Sequence, residues 1–415
     1  MTAKQLITVF EHETLRADGE RLTAPQLHAL QSFHGEQGVP YYSLIHNGVK
    51  FNEHVGVLQV GTTTIEVLPK ADKTLSETSW RAMLVGMLRA VGVFDVHTPS
   101  SSSLRLQSNS ILDLYFELFL NELEYLARRG LVKKYRKEEV NQKALKGSIR
   151  FANHIRENLV HKERFYVRYT TYDVHHRLHQ VLLKALRLIS RLNSNPILSS
   201  RIQTLTLWLP EMADFTVTEA TFRALALDRK TEPYRKALEI ARLLLLNFHP
   251  DIARGRNDVL ALMFNMNTLW ERFVYVSLRK ELRHLGTGAT IKPQLPRDFW
   301  KSTGGPKARI RPDMVLNPNQ PDCVVLDTKW KRLYHSRPAD QDLQQMFVYH
   351  EMYKANRVAL IYPGDFEPID GRYHSPDGTA SSRECSVVGI PVQPNIRQWQ
   401  TEIVRLVGEW AGDKM

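Results

Sequence analysis

A chain of 415 residues, 43% hydrophobic and 24% charged, is too long for one ordinary core, so two or three domains are expected. No apolar run reaches the ~18–20 residues that span a bilayer, and MTAKQLITVFEHET lacks the basic, apolar and small-residue order of a signal peptide. A cytoplasmic protein with no membrane partner is expected, and its formal net charge of +12 favours a polyanion such as nucleic acid.

Residues 1–77 alternate apolar and polar with frequent Gly and Thr, which predicts a β-rich N-terminal domain. HVGVLQVGTTTIEVLPKAD reads as strand, turn, strand, turning at Gly61-Thr62-Thr63. From about 78 the period changes: Trp80, Met83, Leu84, Met87, Leu88 and Val91 fall on one helical face. Further helices are expected near 110–128, 174–194 and 233–247, giving a mostly helical middle over 78–250 with a basic strand or loop segment at 128–151. Asn247–Asn257, with Pro250 and Gly255, is a plausible boundary.

Residues 251–415 predict a third domain. A helix over about 267–284 ends before Gly286, and strands follow near 289–294, 308–316 and 323–330. A helix over 338–355, strands at 357–362 and 385–392, and a helix over 396–411 complete it. Three sequential strands suggest an antiparallel meander, and the next arrives through a helical crossover. The class is α/β in a multidomain α+β chain, with a mixed C-terminal sheet flanked by helices. Cys323 and Cys385 sit in apolar runs and read as buried thiols, which fits a reducing compartment.

Chemistry concentrates in IRPDMVLNPNQPDCVVLDTKWK. On a strand, side chains two apart share a face, so Asp327 and Lys329 project together. Pairing of 308–316 with 323–330 through the Asn317–Asp322 turn would bring Asp313 beside Asp327. Two carboxylates with the Thr328 carbonyl make a hard-oxygen site suited to Mg²⁺. Such an ion polarises a phosphate and activates a bound water, while Lys329 offsets charge developing on phosphorus. Glu271 shares a helical face with Tyr275, Leu278 and Leu282, an apolar stripe that should not hold an unpaired acid. Gln345 and Tyr349 stand one turn apart on the following helix and can point at one site. An Asp–Lys surface pair on an edge strand needs none of these.

RPDMVL…VVLDTKWK, QQMFVY and VALIYP together resemble the PD-(D/E)-x-K nuclease core as arranged in the McrC family, the endonuclease subunits of McrBC-type, modified-cytosine-dependent restriction systems. LWERFVYVSLRKEL, ALKGSIRFANHIRENL and VGVLQVGTTTIEVLPKAD resemble that family's pre-nuclease helix, central segment and N-terminal strand pair. The resemblance implies a restriction-endonuclease-like fold, with Asp313, Asp327 and Lys329 as catalytic residues. It implies Glu271 as an auxiliary acid and metal ligand, with Gln345 and Tyr349 as a supporting pair. It also implies a McrB-like AAA+ GTPase hexamer as partner, bound through the N-terminal domain and stimulated by this subunit. The chain has no G-x-x-x-x-G-K-[ST] loop, so GTP is expected on that partner. Cutting both strands of double-stranded DNA implies dimerisation.

Arg309 and Arg311 alternate toward the face of Asp313 and read as phosphate-positioning groups, with Lys331 beside them. Arg128, Arg129, Lys133, Lys134, Arg136 and Lys137, interleaved with Tyr135, read either as phosphate contacts or as a solvated face. His175 and His179 have zinc-pair spacing but no acidic or cysteine partner, and Asp173 is placed as an N-cap for their helix. Trp330 reads as core. Two other functions stay open: a non-catalytic DNA-binding adaptor that regulates a motor, and an autonomous repair nuclease.

Overall fold

Val55 through Val60 and Ile65 through Leu68 leave no polar face of any length, so this hairpin must be covered on both sides. The computed structural model, which describes residues 5–36, 38–61, 63–70, 76–92, 110–249, 258–285, 289–333 and 337–412, shows how. His54–Val60 and Thr63–Leu68 form an antiparallel hairpin, and Gln5–Phe10 runs parallel to its second strand. The other edge of His54–Val60 is occupied by Val259–Asn265, with Val60 opposite Val259 and Val57 opposite Leu262. Gly56 permits this closure: its φ is +139°, and a Cβ there would stand 2.1 Å from the Leu262 carbonyl oxygen.

This pairing changes the domain plan. The inner face of the N-terminal sheet is completed by Val259 and Ala261, which pack with Ile7, Val9, Leu58 and Ile65. The chain divides into one compact unit of residues 3–94 with 251–415 and another of 95–250, rather than into three consecutive domains cut at 77/78 and 250/251. Helix Glu77–Ala90 belongs to the first unit, where Arg81 reaches the fully buried Glu66 at 2.7 Å. The proposed boundary residues 250–257, the helix-ending Gly286 and the turn residue Thr62 lie outside the described residues.

The first unit also holds a six-stranded sheet in the order Ile291–Pro293, Met314–Leu316, Val324–Thr328, Arg357–Pro363, Ala380–Ile390, Ile369–His374. The first three strands form the expected antiparallel meander, and Arg357–Pro363 lies parallel to Val324–Thr328 after the helix Asp340–Tyr353. That helix covers Val325, Leu360 and Val387 through Met346, Tyr349 and Tyr353. Helices Met266–Leu285 and Ile396–Ala411 pack together through Trp270, Phe273 and Trp399, whose rings lie 4.9–6.3 Å apart. Cys323 and Cys385 are free and buried.

The strand expected over 308–316 is two strands. Lys307–Ile310 pairs with Arg297–Lys301 in a separate hairpin, and only Met314–Leu316 enters the main sheet. Pro312 lies between them; it has no N–H for a ladder and restricts the residue before it.

In the second unit, helices Ile111–Arg129, Arg177–Leu192, Pro196–Trp208 and Arg235–Leu246 accompany a sheet in the order Lys134–Gln142, Phe165–Asp173, Ser148–Ile149. Among the described residues no helix is long and apolar enough to cross a membrane.

Candidate active site

The register Met314–Leu326, Val315–Val325, Leu316–Val324 stops one residue short of the two acids, which face each other where the ladder ends. Asp313 is fixed there by Thr328, whose backbone N–H and Oγ1 each donate to Asp313 Oδ2 at 2.7 Å. Asp327 is 2% exposed, and its Oδ2 lies 2.7 Å from Lys329 Nζ. The Lys329 backbone N–H continues the sheet by donating to the Ile361 carbonyl at 2.9 Å, so the lysine leaves the strand in fixed register.

The helices supply the rest. Lys329 Nζ donates to Gln345 Oε1 at 3.2 Å, Gln345 Nε2 donates to Tyr349 Oη at 2.7 Å, and the tyrosine donates to the Arg311 carbonyl at 3.0 Å. Glu271 Oε1 accepts from Gln294 Nε2 at 2.6 Å, and the same amide lies 3.5 Å from Asp313 Oδ1. Asp313, Asp327, Lys329, Glu271, Gln345 and Tyr349 thus converge from two strands and two helices.

The electrostatics are those of acids short of counter-charge. Burial, then the neighbouring Glu271, holds Asp313 above the ordinary carboxylate range; burial, then Asp313, does the same to Asp327. Glu271 is raised by burial and by Asp327. Burial pulls the Lys329 ammonium down, but Asp327, Asp342 and Asp313 more than offset it and hold the lysine charged. Four acids, Asp313, Asp327, Glu271 and Asp342, meet two ammoniums, Lys329 and Lys331, which leaves a deficit that a cation would fill.

The donor set suits a hard divalent ion. Among the described residues no three His, Cys, Asp or Glu side chains are gathered as an ion cage. Mg²⁺ needs only one or two carboxylates because it keeps several waters. Asp313 and Asp327 can hold it, with the Thr328 carbonyl an available third oxygen; Glu271 stands beside them, held by Gln294.

Two residues of the site were not singled out from sequence, and a third only in part. Asp342 lies 3.6 Å from Lys329 Nζ and 2.6 Å from Lys331 Nζ, and its Oδ2 accepts from Tyr362 at 3.2 Å. Its signal was available, since it sits three positions before Gln345 on one helical stripe. Thr328 was considered for its carbonyl only. Gln294 adopts φ +48° and carried no pattern.

The cations divide. Arg311 flanks the site, whereas Arg309 is carried off on the separate hairpin and pairs with Asp298 at 2.9 Å, so it does not share the face of Asp313. Trp330 is 7% exposed, with its Nε1 donating to the buried Glu11 at 2.9 Å.

In the second unit, Arg136 is paired with Asp173 at 3.1 Å and Lys134 with Asp228 at 3.7 Å. Arg129 donates to Tyr125 at 2.6 Å, while Arg128, Lys133 and Lys137 are exposed. Asp173 does not cap the helix. As the last residue of its strand it accepts from the His175 N–H at 2.9 Å, and the helix begins only at Arg177 with His176 before it. His179 has no metal-site geometry: Nδ1 meets the Val174 carbonyl at 2.6 Å and Nε2 the Tyr234 hydroxyl at 3.0 Å.

A family model described as "McrBC 5-methylcytosine restriction system component" matches residues 49–363. No curated protein matches the chain. Among solved structures, the refined half-complex of a tetradecameric assembly of Thermococcus gammatolerans McrB AAA+ hexamers with bound McrC matches with TM-score 0.72 at 17% identity. That match covers 98% of this chain and 100% of the other. The cryo-EM structure of the Thermococcus gammatolerans McrBC complex matches with TM-score 0.49 at 18% identity, covering 67% of this chain and 88% of that one. At such identities the first likeness speaks for the fold.

Proposed function

The chain belongs to the family of McrBC 5-methylcytosine restriction system components, and on that premise we propose that it is the McrC-type nuclease subunit, a Mg²⁺-dependent DNA endonuclease. The observation that carries this reading is the end of one sheet, where buried Asp313 and Asp327 face each other with Lys329 2.7 Å from Asp327. A structural ion pair would balance its charges; this arrangement leaves them unbalanced.

Asp313 and Asp327 would hold Mg²⁺, which when bound polarises the scissile phosphate and lowers the pKa of a water for in-line attack. Thr328 fixes Asp313 Oδ2 through its N–H and Oγ1, so the carboxylate that would hold the ion keeps one orientation. Lys329, oriented by Gln345 and kept charged by its acidic neighbours, neutralises charge that grows on the phosphate oxygens. Tyr349 ties this hydrogen-bonded chain to the Arg311 carbonyl, which would hold Arg311 beside the site as a phosphate contact. Glu271, held by Gln294, would serve as an auxiliary acid beside Asp313.

A AAA+ hexamer of the McrB type is the partner proposed, because the fold matches McrC in a complex with such hexamers. GTP hydrolysis, which this subunit would stimulate, and reading of the modified cytosine are then the partner's tasks. Double-strand cleavage calls for two copies of the site.

Asp327→Ala, assembled with its motor partner and given methylcytosine-containing duplex, GTP and Mg²⁺, is expected to lose at least ~100-fold in cleavage. Gel filtration should show assembly intact. Wild-type cleavage by that variant overturns the assignment.

A further inference from the structure

We propose that the hairpin Arg297–Lys301/Lys307–Ile310 grips duplex DNA beside the scissile bond, with Phe299 and Trp300 as its contact surface. This rests on the nuclease reading above. The hairpin leaves the chain between Gln294 and Asp313, both residues of the acidic site, and the Gln294 N–H donates to the Asp313 carbonyl at 3.1 Å. Whatever the hairpin holds is therefore placed relative to the metal-binding carboxylates.

Its base is anchored. Arg297 stacks on the Tyr353 ring at 4.7 Å and donates to the Met352 carbonyl and to Asn319. Tyr353 donates to the Leu295 carbonyl. Beyond that base the ribbon faces solvent: Phe299 is 52% and Trp300 59% exposed. Single exposed apolar side chains are ordinary. Two adjacent large aromatics at a register shift, lifted off the body on a two-stranded arm, are a different matter.

Charge selects the occupant. From Leu295 to Pro312 the sequence has Arg297, Lys301, Lys307, Arg309 and Arg311 against one acid, Asp298. Asp298 pairs with both Lys307 and Arg309, which fixes two cations in place and leaves the arm positive. The aromatics alone would also suit a protein surface; the positive excess beside them favours a polyanion. A two-stranded ribbon fits a major groove ~12 Å wide, and aromatic side chains wedge against bases or sugars. At ~3.3 Å per residue Trp300 lies within ~20 Å of Gln294, a reach of no more than about six base-pair steps from the acidic site.

The test uses the full chain assembled with its motor partner, with fluorescently labelled methylcytosine-containing duplex as the probe. Phe299→Ala/Trp300→Ala should raise KM for duplex roughly tenfold or more with a smaller change in kcat, and Phe299→Tyr/Trp300→Phe should restore it. In Asp327→Ala, which should not cut, duplex should still bind, and adding the double alanine change should weaken that binding by the same factor. Unchanged duplex affinity in both backgrounds overturns the hairpin proposal while leaving the nuclease reading standing. Loss of assembly with the motor instead of DNA affinity overturns it in favour of a protein contact. Full cleavage by Asp327→Ala would count against the nuclease alone.

Discussion

Each unit of the chain buries titratable groups, and one cluster from each shows two opposite outcomes. In the 95–250 unit His179 is fully buried and both ring nitrogens are used; the Tyr234 hydroxyl that meets Nε2 itself accepts the Val132 N–H at 3.0 Å. Burial drives this imidazole down to about 4, so it is neutral and satisfied. In the other unit Asp313 and Asp327 are buried against each other and Glu271, with Lys329 the ammonium paired to Asp327. A buried polar group that has found its partners is structure; one left in debt to its surroundings marks where something else must bind.

This contrast can be attacked directly. His179→Ala opens a cavity, removes the acceptor of the Tyr234 O–H and takes one of two donors from the Val174 carbonyl, which keeps the His176 N–H, and should cost about 2–4 kcal/mol of stability. Asp327→Asn removes like-charge repulsion and should leave the melting temperature unchanged or raise it. Paired thermal melts compare the two, and a large loss in Asp327→Asn would show the acids to be structural after all.

A second break uses pH. His179 has a folded pKa of about 4 against an ordinary 6.5. The unfolded chain protonates first, so the histidine's contribution is complete above 6.5 and is lost as pH falls toward 4. Between pH 7 and pH 5 the loss should be roughly 2 kcal/mol. Asp313 and Asp327, held above the ordinary carboxylate range, work with the reverse slope: their burial is least costly at low pH and grows costlier as pH rises through their folded pKa. Hydrogen exchange resolved by peptide at pH 5 and pH 7 should therefore shift in opposite directions in the two regions. The smallest effect is expected at Arg136, which is paired with Asp173 at the surface. Arg136→Ala should cost less than about 1 kcal/mol in a urea melt.

What the sequence disclosed follows from how local the information was. The helices Glu77–Ala90, Ile111–Arg129 and Met266–Leu285 announce themselves by period, and the crossover to Arg357–Pro363 follows from connection rules. Glu271 was legible because an acid on an apolar stripe is out of place. The pairing of His54–Val60 with Val259–Asn265 was not, since uniformly apolar strands carry no facial pattern and a distant partner leaves no local trace. Asp342 was hidden by its setting, for an acid in a first helical turn reads as an answer to the helix dipole. The break at Pro312 was written in the sequence, yet the apolar alternation on either side of it masked the change of sheet.

That distant strand pairing sets a schedule for synthesis. His54–Val60 leaves the ribosome roughly 200 residues before the strand that covers its edge, an interval of ~10–40 s at ordinary elongation rates. All that time an apolar strand edge waits open, a template for pairing with a neighbouring nascent chain. The segment 95–250 is made in that interval, and the first unit cannot close until the chain passes residue 265. Slower synthesis at low temperature should lengthen the wait, whereas supplying residues 251–415 as a separate chain during expression of 1–250 should shorten it.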